Sequence, residues 1–386
     1  MIVSVPKQSE TGEKRVALTP PVCGKLVASE IEVRVESGAG LTAHQTDDAY
    51  REAGASIVDT ADDDFWGTAD IVATIHCPAA AQVRSMRRGA ALVGMLAPLN
   101  HLDEVSAMAE SGVTGCALEF LPRISRAQPM DVLSSQANIG GYKAAVLAAD
   151  HGSKIYPMMM TAAGTIAPSR VFVIGAGVAG LQAIATAKRL GAVVEAFDVR
   201  PVVKEQVQSL GARFVELDLS GEQSETAGGY AKQQTDEQRQ RQSELMARHV
   251  AGADAVITTA AIFGKAPPLL IPEDVVERMQ PGAVIVDLAA DEEAGRGNCA
   301  LARPGEVYRT DGGVTIIGYT NLPALVPVHS SQAYSSNMHS FIEEIIGDDG
   351  LRFDLEDELI QGAAIVHDGS VRNELVAGAL SGAPKD

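Results

Sequence analysis

Apolar residues in this chain come in short runs, separated by stretches that are polar or rich in glycine and proline. The runs predict strands at Ile2 to Val5, Ile31 to Glu36, Ser56 to Val58, Asp70 to Ile75, within Arg87 to Leu96, and at Thr114 to Glu119. Between them the spacing turns helical: Pro20 to Ala28, opened by Thr19 and by prolines at its start, then Asp47 to Gly54 and Leu102 to Glu110. Strands alternating with helices imply a parallel sheet with both faces covered.

A long helical stretch, Leu133 to about Ala149, is expected to bridge two domains. After it come a strand at Val171 to Ile174, a helix from Leu181 to Gly191, and strands at Val193 to Phe197, Ala255 to Ala260, Ala283 to Ala290 and Thr315 to Gly318. The end of the chain reads as a helix near Tyr334 to Ile346 followed by a polar tail.

The strand at Val171 runs into Gly175-Ala-Gly-Val-Ala-Gly180, the G-x-G-x-x-G spacing between a strand and a helix. Gly175 would make the tight turn, Gly177 would let backbone approach a pyrophosphate, and Gly180 would let the helix pack close on the strand. The helix N-terminus then offers free N–H groups and a positive dipole end to phosphate. The next strand ends in Asp198, where a carboxylate can accept the ribose hydroxyls of NAD(H) and repel the 2′-phosphate of NADP(H). Arg200 complicates this, because an arginine beside that carboxylate could hold a 2′-phosphate. NAD(H) is the favoured reading. The alternative is an ordinary strand–helix–strand crossover with a packing glycine. The expected fold class is therefore α/β, with two Rossmann-like domains whose parallel sheets are separated by a cleft. The first domain is assigned residues 1–133 plus 325–386, because two-lobed dinucleotide enzymes often return their last helices to the first lobe. The second is assigned residues 134–324.

At 386 residues the chain is long enough for two such cores. Aromatics make up only 4%, so the cores must be built mostly from Ala, Val, Leu and Ile. The net charge of −19 argues against nucleic acid and against adhesion to anionic lipid. No apolar run reaches the roughly 18 residues a membrane helix needs, so direct insertion is not expected. The best candidates are broken by Arg170 and by Lys265 with Pro267-Pro268. The N-terminus enters a strand without a basic region or cleavage site. Cys23, Cys77, Cys116 and Cys299 are scattered without C-x-x-C spacing, which reads as packing cysteines in a reduced cytosolic chain and offers no metal site. Ser220 to Asp236 breaks the rhythm, being polar and without periodicity. It is either a functional loop, with Gly228-Gly229 hinging an aromatic Tyr230, or a tolerated surface insertion.

Several stretches together carry a family resemblance. They are Pro6-Lys-Gln-Ser-Glu-Thr-Gly-Glu-Lys-Arg-Val-Ala-Leu-Thr-Pro20, Pro122-Arg-Ile-Ser-Arg-Ala-Gln128 with Met130-Asp131, Leu133-Ser-Ser-Gln136 and Thr161-Ala-Ala-Gly164. Further on come the glycine fingerprint, Phe197-Asp-Val-Arg-Pro201, Lys204-Glu-Gln206, Gly228-Gly-Tyr-Ala-Lys232, Ile257-Thr-Thr-Ala260 and Val286-Asp-Leu-Ala-Ala290. Over about residues 1 to 345 the chain resembles the NAD(H)-binding domains of proton-translocating NAD(P) transhydrogenases, the soluble first domain of their alpha subunits.

The resemblance implies hydride transfer between NADH and NADP⁺, with NADP(H) held on a partner domain and membrane-spanning subunits coupling the transfer to proton movement. It also implies a homodimer, peripheral at the cytoplasmic face of the inner membrane. Arg123, Gln128, Asp131 and Ser134 would surround the nicotinamide end, with Ile124 and Ser125 beside them. Gly175, Gly177, Val178, Gly180, Asp198, Val199, Arg200 and Ala261 would hold the rest of the dinucleotide. Tyr230 would close over it on a mobile loop, with Gly229 at the hinge and Gln242 beyond. Hydride transfer directly between two nicotinamides needs orientation and water exclusion but no proton donor or acceptor. The polar cluster from Arg123 to Ser134 suits that task. Its bland alternative is an interdomain salt bridge between Arg123 and Asp131. Gln136 and Asn138 read as helix-opening residues. Three places depart from the family pattern: Pro129, Phe263, and the acidic, lengthened Asp291 to Cys299.

Two rivals stand beside this reading. An alanine dehydrogenase-like enzyme would need an acid/base lysine and histidine. The corresponding places here read Thr74-Ile-His-Cys-Pro78 and Met95-Leu-Ala-Pro98, and His76 alone reads as an ordinary surface or core histidine. A nucleotide-binding regulatory module without turnover is the other.

Overall fold

Neighbouring residues of one strand enter different cores, as the two-residue period of a strand requires. In the computed structural model, which describes residues 1–216, 236–261, 264–347 and 350–382, the chain divides into two compact units. These are Met1–Gln136 with Pro323–Asp386, and Ala137–Leu322; the division falls within the helix Val132–His151.

The first unit is built on β1 (Ile2–Val5), β2 (Glu32–Glu36), β3 (Ser56–Val58), β4 (Ile71–Ala73), β5 (Ala91–Gly94) and β6 (Thr114–Ala117). They lie in the order β6-β5-β4-β1-β2-β3, all parallel. Ile71, Ala73, Ala91 and Val93 join one apolar cluster, while Val72 and Leu92 join the one on the other face. The stretch expected to be a polar tail is not one. Ala364–His367 pairs antiparallel with β6 through a bulge, and Ser370–Val371 pairs with it in turn, completing an eight-stranded sheet. The reason is apolar: Leu359, Ile360 and Ala363 to Val366 are all buried.

The second unit begins with a small antiparallel hairpin, β7 (Met159–Thr161) and β8 (Gly164–Ile166), which the sequence pattern did not signal. Its main sheet contains β9 (Arg170–Ile174), β10 (Val193–Phe197), β11 (Arg213–Phe214), β12 (Ala255–Thr258), β13 (Val284–Asp287), β14 (Val307–Arg309) and β15 (Thr315–Ile317). The order is β11-β10-β9-β12-β13-β15-β14, parallel except for β14. Strand order reverses between β9 and β12, the doubly wound switch point outside whose carboxyl ends ligands bind. Each unit is thus an α/β, Rossmann-like layer structure. The four cysteines are free thiols, and burial pushes those of Cys23, Cys77 and Cys299 up to about 12. No described helix is long and apolar enough to cross a membrane.

Candidate functional site

At the carboxyl ends of β9, β10 and β12 the second unit opens into a cavity of about 720 Å³, within the range that holds a dinucleotide portion or drug-sized ligand. Gly175 turns the chain there with φ +93°, and a Cβ on it would lie 2.4 Å from Thr259 Oγ1. A Cβ on Gly180 would lie 1.9 Å from the Gly175 carbonyl oxygen, so the helix Val178–Arg189 can sit this close only because that residue has no side chain. Gly177 differs: its nearest neighbour would be Arg200 Nη2 at 3.9 Å, which leaves open space in front of its backbone. It is the N-cap of the helix and brings no side-chain cap, so the first N–H groups are available to an anion. This is the cradle a pyrophosphate requires.

Asp198 follows β10 and is almost wholly buried, with 6% of its side chain exposed. Burial alone would raise its pKa, but the Arg200 guanidinium and the backbone N–H groups of Ala176 and Arg200 hold it below the usual carboxylate range. Oδ2 accepts from Ala176 N at 2.7 Å and from Arg200 Nη2 at 3.0 Å. Oδ1 accepts from Arg200 N at 2.8 Å and Nε at 3.0 Å. Arg200, exposed on its outer side, is thereby kept charged.

Gly175, Gly177, Asp198, Val199, Arg200 and Ala261 all line the cavity. Val178 is the first residue of the helix, partly exposed, and Gly180 packs beneath the turn. Sequence reasoning missed Thr259, Met246 and Leu269–Leu270 as further lining residues. The first could have been found from the switch-point rule, since it directly follows β12. Thr259 Oγ1 donates to the carbonyl oxygens of Ile174 and Gly175, tying β12 to the glycine turn. Gly229, Tyr230 and Phe263 lie outside the described residues, as does the side chain of Gln242.

The other group lies in the first unit. Asp131 stands just before the helix Val132–His151 and accepts from Ser134 N at 2.8 Å, the N-terminal capping bond an aspartate makes. Its second oxygen accepts from Ser134 Oγ at 2.6 Å and Arg123 Nη1 at 2.9 Å, while Arg123 Nη1 also reaches Ser134 Oγ at 3.3 Å. All three residues belong to the first unit, so this pair is not an interdomain bridge. Arg123 keeps 70% of its side chain exposed. Gln128 and Ser125 are exposed on the 3₁₀ turn Ser125–Met130, and Ile124 packs against the first core. Pro129 lies inside that turn, its carbonyl accepting from Asn337 Nδ2 at 2.6 Å. Arg126 fastens the same turn to Glu344 and Asp357 at 2.7 and 2.8 Å.

Gln136 is not a helix-opening residue. It is buried, accepts from Arg15 Nη1 at 2.9 Å and donates to the Ser330 carbonyl. Arg15 is itself buried and forks onto Glu13 at 2.8 and 2.6 Å. His76 completes the group, with Nε2 2.6 Å from Glu13 and Nδ1 2.9 Å from Glu10.

The chain as a whole is similar to known proteins. The description "Alanine dehydrogenase/PNT, N-terminal domain" matches residues 4–140, and "Alanine dehydrogenase/PNT, C-terminal domain" matches residues 144–374. An NAD(P) transhydrogenase subunit alpha polypeptide of Rhodospirillum rubrum is 45% identical, over 98% of this chain and 99% of its own length. NAD(P) transhydrogenase subunit alpha of Haemophilus influenzae is 41% identical, over 96% of this chain and 71% of that one. The crystal structure of transhydrogenase from Sinorhizobium meliloti matches with a TM-score of 0.83 at 40% identity, over 97% of this chain and 99% of that one. The chain belongs to the alanine dehydrogenase/PNT family, among its NAD(P) transhydrogenase alpha subunits.

Proposed function

We propose that this chain is the NAD(H)-binding subunit of a proton-translocating transhydrogenase, passing hydride between NADH and NADP⁺ held on a partner domain. The observation that carries the reading is the cavity at the strand-order reversal, where an uncapped helix N-terminus and the Asp198–Arg200 pair converge. NAD(H), when bound, supplies the hydride chemistry. The backbone N–H groups after Gly177 take the pyrophosphate charge, Asp198 takes the ribose hydroxyls, and Phe197, Val199, Met246 and Leu269 offer apolar walls to the base. From the resemblance, Arg123, Gln128, Asp131 and Ser134 orient the nicotinamide end, and Gly229, Tyr230 and Gln242 act over the dinucleotide. Asp131 accepts from both Arg123 and Ser134, and this fixed polar group suits a task of orientation without proton transfer.

The arrangement of Arg15 and His76 supports this reading over an amino-acid dehydrogenase. Their polar groups are engaged by Glu13, Glu10 and Gln136, whereas acid/base catalysis at a substrate carbon needs groups turned to the substrate. Membrane-spanning partners couple transfer to proton movement, and the chain acts as a homodimer at the cytoplasmic face of the inner membrane. Self-association is supported by the hairpin β7–β8, in which every residue is exposed and which carries Met159, Met160 and Ile166 on an uncharged ribbon.

The test is to mix the chain with a transhydrogenase NADP(H)-binding domain and follow hydride transfer from NADH to an NADP⁺ analogue. Transfer is expected. NADH binding without any transfer would overturn the assignment, and NADH oxidation by pyruvate plus ammonia would install the rival.

A further inference from the structure

The acidic stretch from Asp291 to Cys299 delivers one wholly buried polar side chain, Asn298, to the back of the cavity. Asn298 Nδ2 donates to the Ala260 carbonyl at 2.8 Å and to the Pro268 carbonyl at 2.9 Å, and Oδ1 accepts from Ala260 N at 3.1 Å. Its backbone carbonyl accepts from Leu270 N at 2.8 Å and Ile271 N at 2.9 Å. Ala260–Ala261 and Pro268–Leu270 are two walls of the cavity, so one residue spans both from behind. A primary amide suits the position because one planar group supplies an acceptor and two donors.

The loop is shaped to bring it there. Asp287, also wholly buried, accepts from Ala289 N at 3.0 Å and Cys299 N at 2.8 Å, closing the loop at both ends. A Cβ on Gly297 would lie 2.3 Å from Asp287 Oδ2, so only glycine lets the backbone pass. Asp291 turns the outer part by accepting from Ala294 N at 2.7 Å, which leaves Asp291, Glu292 and Glu293 exposed.

We infer that Asn298 is a positioning residue for nucleotide binding, setting the spacing of the Ala260–Ala261 and Pro268–Leu270 walls without touching the ligand. The inference rests on the cavity being the NAD(H) site. It is tested by fluorescence titration of the full chain with NADH. Asn298→Ala should raise the NADH Kd roughly tenfold, the scale expected when buried hydrogen bonds that fix a site are lost. Ser169→Ala serves as a control: it removes a hydroxyl of the same unit, bonded to the Ile155 carbonyl at 2.9 Å and absent from the cavity lining, and should lower Tm without moving Kd.

Asn298→Asp covers the case in which the alanine variant fails to fold. It keeps the acceptor for Ala260 N but loses both donors while ionised. Its Kd should likewise be raised at about pH 8, where the carboxylate offers no donor to the Ala260 and Pro268 carbonyls. A parent that binds NADH, with either variant binding equally well at about pH 8, overturns the inference. A parent that does not bind NADH overturns instead the nucleotide reading on which it rests.

Discussion

Arg200 grips both oxygens of Asp198, with Nε on Oδ1 and Nη2 on Oδ2, each at 3.0 Å. With the N–H groups of Ala176 and Arg200 added, the carboxylate accepts four donors, about its full lone-pair capacity. A ribose hydroxyl must therefore share or displace an arginine bond, and the pair acts as one unit in choosing a nucleotide. Asp198→Asn breaks that unit. It should raise the NADH Kd roughly tenfold and improve NADPH relative to NADH, because the released guanidinium can take a 2′-phosphate. Parallel titrations with NADH and NADPH check this, and an unchanged preference would exclude the pair as the selector.

Asp131 both caps a helix and binds Arg123, so its variants separate scaffold from function. Arg123→Ala leaves the cap intact, and Arg123 is largely exposed, so its ion pair adds little stability. Tm should hold while transfer to the NADP(H) partner falls roughly 10- to 100-fold, the scale of a lost orienting contact. NADH affinity should change much less. Equal transfer by Arg123→Ala and parent would remove this group from the mechanism.

His76 makes the first unit pH-sensitive. Burial disfavours its charge, but hydrogen bonds to Glu10 and Glu13 prevail and hold its pKa above the usual histidine range. A raised folded pKa means its contribution is fully present below about pH 6.5 and is lost as pH rises through the raised value. Glu10 is held below the usual range mainly by its hydrogen bond to His76, and Glu13, despite its burial, by hydrogen bonds from Arg15 and His76. Their contribution is present above about pH 4.3 and is lost as pH falls. The cluster is thus strongest under mildly acidic conditions. His76→Gln should lower Tm near pH 6 by roughly 2–4 °C, the shift that about 1 kcal/mol produces in a unit this size. The difference from parent should shrink towards alkaline pH. Calorimetry at several pH values decides, and a constant difference would refute the assignment.

The hairpin supplies a test of assembly. Met160 is 80% exposed on it, with Met158 at 61% just before it. Met160→Glu should leave Tm nearly unchanged, because the side chain buries little within its own chain. If the hairpin joins two copies, light scattering should show the dimer weakened towards monomer, since a buried unpaired carboxylate is costly. A dimer of unchanged affinity would assign self-association to another surface.

Much of this was legible in the chain itself, and for a local reason. Alternation and short apolar runs encode which strands are covered on both faces, and a glycine fingerprint between a strand and a helix is complete within one turn. Asp198 follows from the same logic, because it directly ends the next strand. The resemblance extended that reading to Arg123, Asp131 and Ser134, which the fold joins by hydrogen bonds. What the tertiary structure decided are contacts between segments without periodicity. Asn298 reaches Ala260, 38 residues away, from a loop whose acidic surface conceals its one buried polar side chain. The return of Ala364–His367 to β6 depends on a register that no single segment specifies. Arg200 could have faced a phosphate or a carboxylate; only the fold, by burying Asp198 beside it, chose the carboxylate. Local sequence sets what a segment can bury, and the assembled chain sets which polar group it must then satisfy.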